Sequence, residues 1–116
     1  MASRRQNIIK QAYERIDRIR ASLSEIDYLS SGTLLERMKV CGYANCRCHR
    51  DPNGRHGPHY QWDRMKAGKL VHRNVTPEQA AFLRRAIANY QKAKKLMKAW
   101  EDETIRLMDN EMPRET

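Results

Sequence analysis

All three cysteines and three of the four histidines of this 116-residue chain lie within residues 41–59, CGYANCRCHRDPNGRHGPH. Cys41, Cys46 and Cys48 have the spacing C-x4-C-x-C, which places three thiols within eight residues. Three is an odd count, and in a reducing compartment clustered cysteines are more often metal ligands or reactive thiols than disulfide partners. The rest of the chain must therefore fold around this stretch.

Zinc binds four soft or borderline ligands in a tetrahedron, and a short loop rich in Cys and His can supply all of them. The three thiols predict three ligands, and two histidines of the loop lie at suitable distances along the chain to be the fourth. A closed site of this kind is structural, since a catalytic zinc usually keeps one open position. We predict a structural Zn²⁺ with one alternative for its fourth ligand: Cys41, Cys46, Cys48 and His56, or His59 in place of His56.

The remaining histidines fit such a site less well. His49 directly follows Cys48, so both could bind one ion only with a strained backbone, and His72 would have to come from a distant strand. The alternative without a metal is that Cys41 is a small buried residue and that Cys46 and Cys48 are free thiols.

Two long segments with helical periodicity flank the cluster. The first runs from residue 4 to about residue 29 and carries apolar residues at spacings of three and four, as an amphipathic helix does. The second begins with Thr76-Pro77-Glu78-Gln79, in which Thr and Gln form a capping box and Pro takes the first helical position. This helix is predicted to reach about residue 110.

Each helix has an apolar stripe that can be buried only against the other helix or against a second copy of the chain. We predict an antiparallel pair within the chain. A homodimer is the further expectation, formed along the remaining apolar residues of both helices: Ile8, Tyr13, Phe82, Ile87, Leu96 and Ile105.

The middle of the chain has strand-like alternation. Residues 59–65 and 69–75 flank a short link, Lys66-Ala67-Gly68, and predict a β-hairpin; residues 32–40 predict a further strand. A meander of three short strands cannot hold a core by itself, so the metal is expected to staple it.

The sequence therefore predicts an α+β fold in which two long amphipathic helices flank a small zinc-stapled antiparallel sheet. A chain of this length supports a single domain, residues 1–116, with a thin core. Its predicted parts are an N-terminal helix at 4–29, the Cys/His cluster and β-hairpin at 31–75, and a C-terminal helix at 76–110.

The formal net charge is +9, and the excess is concentrated in the middle of the chain. Residues 31–73 contain nine Lys and Arg against three acidic residues, which favours a polyanionic partner. The predicted nucleic-acid contacts are Arg37, Lys39, Arg47, Arg50, Arg55, Arg64, Lys66, Lys69 and Arg73. No stretch has the length and apolar character of a membrane span or a signal peptide. We expect a cytoplasmic protein without membrane contact, associated with the nucleoid if it binds DNA.

Five stretches resemble the signature of a family of short, functionally uncharacterised prokaryotic proteins: GTL at 32–34, KVCG at 39–42, CRC at 46–48, HGPHY at 56–60 and IANY at 87–90. The family pattern reads G-[ST]-L, K-C-G-x3-C-x-C, H-G-P-Y-Y and I-x-N-Y. The resemblance covers about residues 31–98. Such proteins are often associated with transposons and other integrating elements, and no enzymatic activity is established for them.

By position, the cysteines of that family and its H-G-P histidine fall on four residues of this chain: Cys41, Cys46, Cys48 and His56. Two positions depart from the pattern. Val40 is inserted before the first cysteine, and His59 stands where the family usually has Tyr, which leaves the fourth ligand open between two histidines. The resemblance also implies a recombinase or transposase as a protein partner.

We predict a basic zinc-binding accessory protein that binds nucleic acid, DNA in preference to RNA, and assists transposition or site-specific recombination. The alternative is a zinc-stabilised adaptor or dimerisation module without nucleic-acid contact. We do not expect an enzyme, because the chain has no paired carboxylates, no Gly-rich phosphate loop and no nucleophile with an evident base. A metal-dependent nuclease that uses Asp51 with His49, His56 or His59 is the remaining alternative.

Overall fold

A computed structural model of the chain describes residues 3–112. Within them, two helices and a three-stranded antiparallel sheet confirm the predicted α+β class. The elements are α1 (Arg4–Ser24), β1 (Thr33–Lys39), β2 (His56–Lys66), β3 (Lys69–Val75) and α2 (Pro77–Glu111), with 3-10 turns at Arg47–His49 and Pro52–Gly54.

The chain forms two compact units. One runs from Leu29 to Ala88 and contains the sheet, the Cys/His stretch and the beginning of α2. The other contains α1 and the part of α2 from Asn89 onward. The single-domain organisation stays a prediction.

The first helix starts and ends through local hydrogen bonds. The Ser3 hydroxyl accepts from the Gln6 N–H at 3.1 Å, and the Gln6 side chain accepts from the Ser3 N–H at 3.0 Å, which is a capping box. At the other end, the Ser24 hydroxyl donates to the Ala21 carbonyl at 2.6 Å. α1 ends at Ser24 rather than near residue 29, and the next two N–H groups donate to carbonyls three residues earlier, Glu25 to Ser22 at 3.3 Å and Ile26 to Leu23 at 3.1 Å.

Two alanines and one isoleucine are the buried apolar residues in the described part of the unit that contains α1: Ala12, Ala93 and Ile19. Glu103 is only 8% exposed, and its Oε1 lies 3.5 Å from Nη1 of Arg15 on α1. The predicted antiparallel helix pair and the homodimer both stay predictions.

The strands follow the order β1-β2-β3, and their register places Leu34, Trp62 and Arg73 directly across from one another. A two-residue turn joins β2 to β3, with φ of 51° at Ala67 and 79° at Gly68. Both values are positive, as the tightest hairpin turns require. The predicted hairpin is therefore present, although β2 begins at His56 and not at residue 59.

Trp62 anchors the face of the sheet that the beginning of α2 covers. Its indole N–H donates to the Ser31 carbonyl at 3.0 Å. A hollow of about 180 Å³ separates part of this ring from α2 and is also lined by Phe82 and Leu83. Gly32 is required beside it: φ is +108°, and a Cβ there would overlap the Asp63 carbonyl and the Trp62 indole nitrogen.

The beginning of α2 is fixed by the predicted capping box. The Gln79 N–H donates to the Thr76 hydroxyl at 3.1 Å, and the Thr76 N–H donates to the Gln79 side chain at 3.0 Å. Ala80, Leu83 and Ala86 are buried on the helix that follows.

Candidate metal centre

The segment that connects β1 to β2, residues 40–55, is folded by short-range hydrogen bonds. The Cys46 N–H donates to the Tyr43 carbonyl at 3.1 Å, and the His49 N–H donates to the Cys46 carbonyl at 3.1 Å. These bonds form the first 3-10 turn, which directs Cys48 into the protein, where it is 2% exposed.

The second 3-10 turn is held by a carboxylate. Asp51 accepts from the Asn53 N–H at 2.9 Å and pairs with the guanidinium of Arg47 at 2.8 Å. The Arg47 hydrogen bonds, followed by that from Asn53, hold the pKa of Asp51 below its usual range. This carboxylate is not among the clustered ligand atoms, so the arrangement gives no support to a nuclease built on Asp51.

The folded segment brings four ligand atoms together, one each from Cys41, Cys46, Cys48 and His56, all within 4.8 Å of one another. The Cys46 Sγ lies 3.3 Å from the His56 Nε2, and the Cys48 Sγ lies 3.6 Å from the Cys41 Sγ. In a tetrahedron with ordinary Zn–S and Zn–N bonds, the corresponding edges are about 3.6 Å and about 3.8 Å. These two separations are close to the edges of a zinc tetrahedron, so the four residues form a possible metal site that small side-chain adjustments would close around a zinc ion.

The strand register explains why His56, and not His59, joins the cluster. His56 is the first residue of β2 and lies across from Lys39, the last residue of β1, only two positions before Cys41. His59 lies across from Arg37, farther from the connecting segment, and lines a separate hollow with Lys39. The sequence left the choice between the two histidines open, and pairing of the strands places His56 beside the three cysteines.

His49, which the spacing disfavours as a ligand, contacts the backbone of the cluster instead. Its Nε2 lies 2.8 Å from the Cys41 carbonyl oxygen. The Cys41 N–H in turn donates to the Cys48 sulfur at 3.2 Å. Such outer contacts orient ligands and stabilise negatively charged sulfur, so His49 is a supporting residue that spacing alone does not reveal.

The cysteines of the cluster differ in their ease of ionisation. The backbone hydrogen bond from Cys48, followed by the side-chain hydrogen bond from His56, lowers the pKa of the Cys46 thiol to about 6. Burial raises the pKa of the Cys48 thiol. Since metals bind thiolates, Cys46 is prepared for binding at neutral pH, whereas Cys48 needs the charge of a metal ion to ionise.

His72 takes part in a different cluster, on the face of the sheet opposite Trp62. Asp63 lies directly across from His72, and its Oδ1 is 2.6 Å from the His72 Nδ1 and 2.7 Å from the Gln61 Nε2. The Gln61 hydrogen bond, followed by that from His72, lowers the pKa of Asp63. The sequence prediction missed this cluster because it treated Lys66-Ala67-Gly68 as the link, and only a two-residue turn sets Asp63 against His72.

The nine basic residues predicted to contact nucleic acid all lie in the unit that runs from Leu29 to Ala88. The strands carry Arg37, Lys39, Arg64, Lys66, Lys69 and Arg73, and the segment between β1 and β2 carries Arg47, Arg50 and Arg55. Of the nine, Arg47 is the one that forms an ion pair within residues 3–112. The positive charge of Arg37 contributes to the lowered pKa of Asp63.

The family called Domain of unknown function (DUF6788) matches residues 9–85, which is more than half of the chain. The chain belongs to this family. The match includes most of α1, the whole sheet, the candidate metal centre and the beginning of α2. It assigns no activity, and the association with transposons stays a prediction. The chain matches no curated protein and no solved structure. None of the described helices combines the length and apolar character needed to cross a bilayer.

Proposed function

We propose that this protein is a zinc-stabilised accessory module that binds DNA through the basic residues around its sheet. The distribution of charge carries the proposal. Nine Lys and Arg but only three acidic residues lie in residues 31–73, and a single one of the nine basic residues has an ion-pair partner in the part of the chain described. Cations without acidic neighbours create a field that attracts phosphates.

The role of zinc in this proposal is structural. Three thiolates and one imidazole form a closed donor set of the kind that zinc prefers. The ion would fix residues 40–55, which carry Arg50 and Arg55, onto the end of the sheet. A fixed segment loses less conformational entropy on binding, so its cations contribute more to affinity.

Binding is tested by fluorescence anisotropy of the zinc-loaded protein with a labelled duplex. Contacts to six or more phosphates weaken binding by about a thousandfold between roughly 50 and 200 mM salt. The variant Lys39→Ala/Arg50→Ala/Arg55→Ala should bind at least about tenfold more weakly at low salt. Its matched control, Arg5→Ala/Lys10→Ala/Arg20→Ala on α1, changes the net charge equally and should retain most of the affinity. Absence of binding to duplex DNA at low salt would refute the proposal. Equal losses of affinity in the two variants would show that binding depends on net charge alone and not on the basic residues around the sheet.

A place in a mobile element is part of the same proposal, with the element ends as the DNA and a recombinase or transposase as the partner. It is supported only by the resemblance of the Cys/His stretch to proteins associated with such elements. Capture of partners with tagged protein, with and without nuclease treatment, tests it. A recombinase that persists after nuclease treatment supports direct contact, and one that disappears was bridged by DNA.

An adaptor function is the second candidate, and exposed apolar side chains on the helices favour it. Tyr13 is 48% exposed and Ile105 is 44% exposed. If the two helices pair in antiparallel fashion, these exposed side chains are available to contact a second copy of the chain or a helix of another protein. Native mass spectrometry distinguishes the candidates: a dimer that is unaffected by Arg50→Ala/Arg55→Ala but lost in Tyr13→Glu/Ile105→Glu favours the adaptor.

A further inference from the structure

The tip of the β2–β3 hairpin has two chemically different faces. Lys66 and Lys69 lie directly across from each other around the two-residue turn. Side chains alternate along a strand, so the residues at every second position share a face. The face with the two lysines therefore also carries Trp62, Arg64, Val71 and Arg73.

The four cations on this face, Arg64, Lys66, Lys69 and Arg73, have no ion-pair partner in the described part of the chain. Arg64 lies over the Trp62 ring, 4.7 Å from its centroid, and this contact leaves its charge uncompensated. Like charges directly across from each other destabilise a strand pair. A polyanion bound to this face would remove that repulsion.

The reverse face of the tip carries an apolar pair. Met65 and Leu70 lie directly across from each other and are 60% and 57% exposed. A single exposed apolar side chain is ordinary, but two that adjoin at the end of a ribbon form one apolar edge. The next pair on this face is Asp63 with His72, so the apolar edge is confined to the tip.

We propose that the β2–β3 hairpin enters the minor groove of duplex DNA and bends the duplex, with the apolar pair as a wedge and the cations on flanking phosphates: Met65 and Leu70, and Arg64, Lys66, Lys69 and Arg73. Leu and Met are among the side chains that proteins insert between base steps, which unstacks them and bends the helix. The bend widens the minor groove, so that the ribbon fits between the two DNA backbones. Phosphates of both backbones then lie within reach of the long cationic side chains on the other face of the ribbon. This inference rests on the proposed DNA binding and narrows it to one element and one mode.

Charge complementarity favours DNA over an anionic membrane as the occupant. Four unpaired cations match the closely spaced phosphates of a duplex, which carries about one charge per 1.7 Å of its axis. The apolar edge consists of only two side chains, which is enough to separate a base step but small for stable insertion into a lipid surface.

Bending is measured by energy transfer between dyes at the two ends of a short duplex that contains a central TA step, with the full zinc-loaded protein. Binding of the unaltered protein should shorten the end-to-end distance. The variant Met65→Ser/Leu70→Ser should bind within about threefold of the unaltered affinity but leave the duplex straight. The matched control Met97→Ser/Met108→Ser replaces two exposed methionines of α2, 61% and 52% exposed, and should bend DNA normally.

The cations are tested by Lys66→Gln/Lys69→Gln. This variant should lose at least about tenfold in affinity at low salt, and the slope of log affinity against log salt should become shallower by about two. Single variants Met65→Ser and Leu70→Ser, which disturb the hairpin less, should each give an intermediate bend. Zinc content and circular dichroism verify that every variant is folded.

The outcomes separate the two proposals. Binding without bending by the unaltered protein, or full bending by Met65→Ser/Leu70→Ser, overturns the wedge and leaves the DNA-binding proposal intact. Absence of binding to any duplex overturns both. Vesicles of phosphatidylcholine and phosphatidylserine form the remaining arm: binding to them in place of DNA, lost in the Met65/Leu70 variant, would assign the tip to a membrane surface and refute the inference.

Discussion

The two connections of the sheet are held in different ways. The β1–β2 connection, residues 40–55, is long and has no strand of its own, and its shape depends on side chains that converge from Cys41, Cys46, Cys48 and His56. The β2–β3 connection consists of Ala67 and Gly68 alone, and backbone conformation at those two residues defines it. The long connection is therefore suited to a metal crosslink, whereas the short one depends on positive φ at two adjacent residues.

The physical reason lies in the entropy of loop closure. A longer loop loses more conformational freedom when its ends are fixed, and each of its residues must also be ordered. Few apolar side chains of residues 40–55 are available to compensate this loss, since Cys48 is the one buried residue among them. A metal ion bound by the four clustered side chains would compensate it. The comparison predicts large effects of substitutions in the first connection and small effects in the second.

Loss of one thiol should have the largest effect. Cys46→Ser removes a ligand and leaves an incomplete site, so zinc uptake should be lost and the melting temperature should fall by more than about 15 °C. Native mass spectrometry reports the metal, and circular dichroism reports the melting. A folded, equally stable protein that contains no metal would mean that the long connection needs no crosslink.

The two histidines of β2 give the next largest effect and the sharpest contrast. His56→Ala should lower zinc affinity by more than about a hundredfold, since even loss of an outer contact lowers affinity by about 10- to 100-fold. His59→Ala, three residues along the same strand, should leave zinc affinity unchanged. Competition titration with a zinc-binding dye measures both, and the reverse pattern would show that His59 is the fourth ligand.

The short connection should respond to backbone conformation alone. Gly68 has φ of +79°, and a Cβ at this residue would have no heavy atom within 4 Å, so a side chain there meets strain but no clash. Gly68→Val should lower the free energy of unfolding by about 1 to 2 kcal/mol. Ala67→Gly, the matched change at φ of 51°, should raise it by up to about 1 kcal/mol. Urea unfolding of zinc-loaded protein measures the change in the free energy of unfolding for each variant. Changes of the same sign in the two variants would contradict this explanation.

The Asp63–His72 pair in the stem of the hairpin should have the smallest effect, and it depends on pH. The folded pKa of Asp63 is below its unfolded value, so its stabilisation is complete above about pH 4 and is lost as the pH falls through the folded pKa. Asp63→Asn should lower the melting temperature by about 2 to 5 °C at pH 7.

Acid also affects the metal ligands, but it does so equally in the unaltered protein and in Asp63→Asn. The difference in melting temperature between the two proteins at each pH therefore reports the Asp63 carboxylate. This difference should be present above about pH 4 and decrease as the pH falls below it. A difference that grows on acidification would mean that the hydrogen bonds favour the protonated carboxyl.

Sequence features that act between neighbouring residues, such as capping boxes and turn residues, predicted local structure well. The Thr76 and Gln79 capping box starts α2 at Pro77 as predicted, and the turn at Gly68 joins two strands. The end of α1 was predicted too late, because the apolar periodicity continues past Ser24, where the backbone hydrogen bonds change to a three-residue spacing. The three cysteines were identified from spacing alone, and the structure clusters them.

By itself, the sequence determined the elements and the donor set: two helices, the second with its capping box, strands around a turn, and three thiols with nearby histidines. These follow from interactions between residues close in the chain, which spacing and side-chain chemistry encode directly. Tertiary structure alone decided that His56 and not His59 joins the cluster, that Asp63 meets His72, and that Met65 and Leu70 adjoin at the tip. Each of these depends on strand register: the long connection does not fix the register of β1 against β2, and in the hairpin a two-residue turn in place of a three-residue link changes which residues pair.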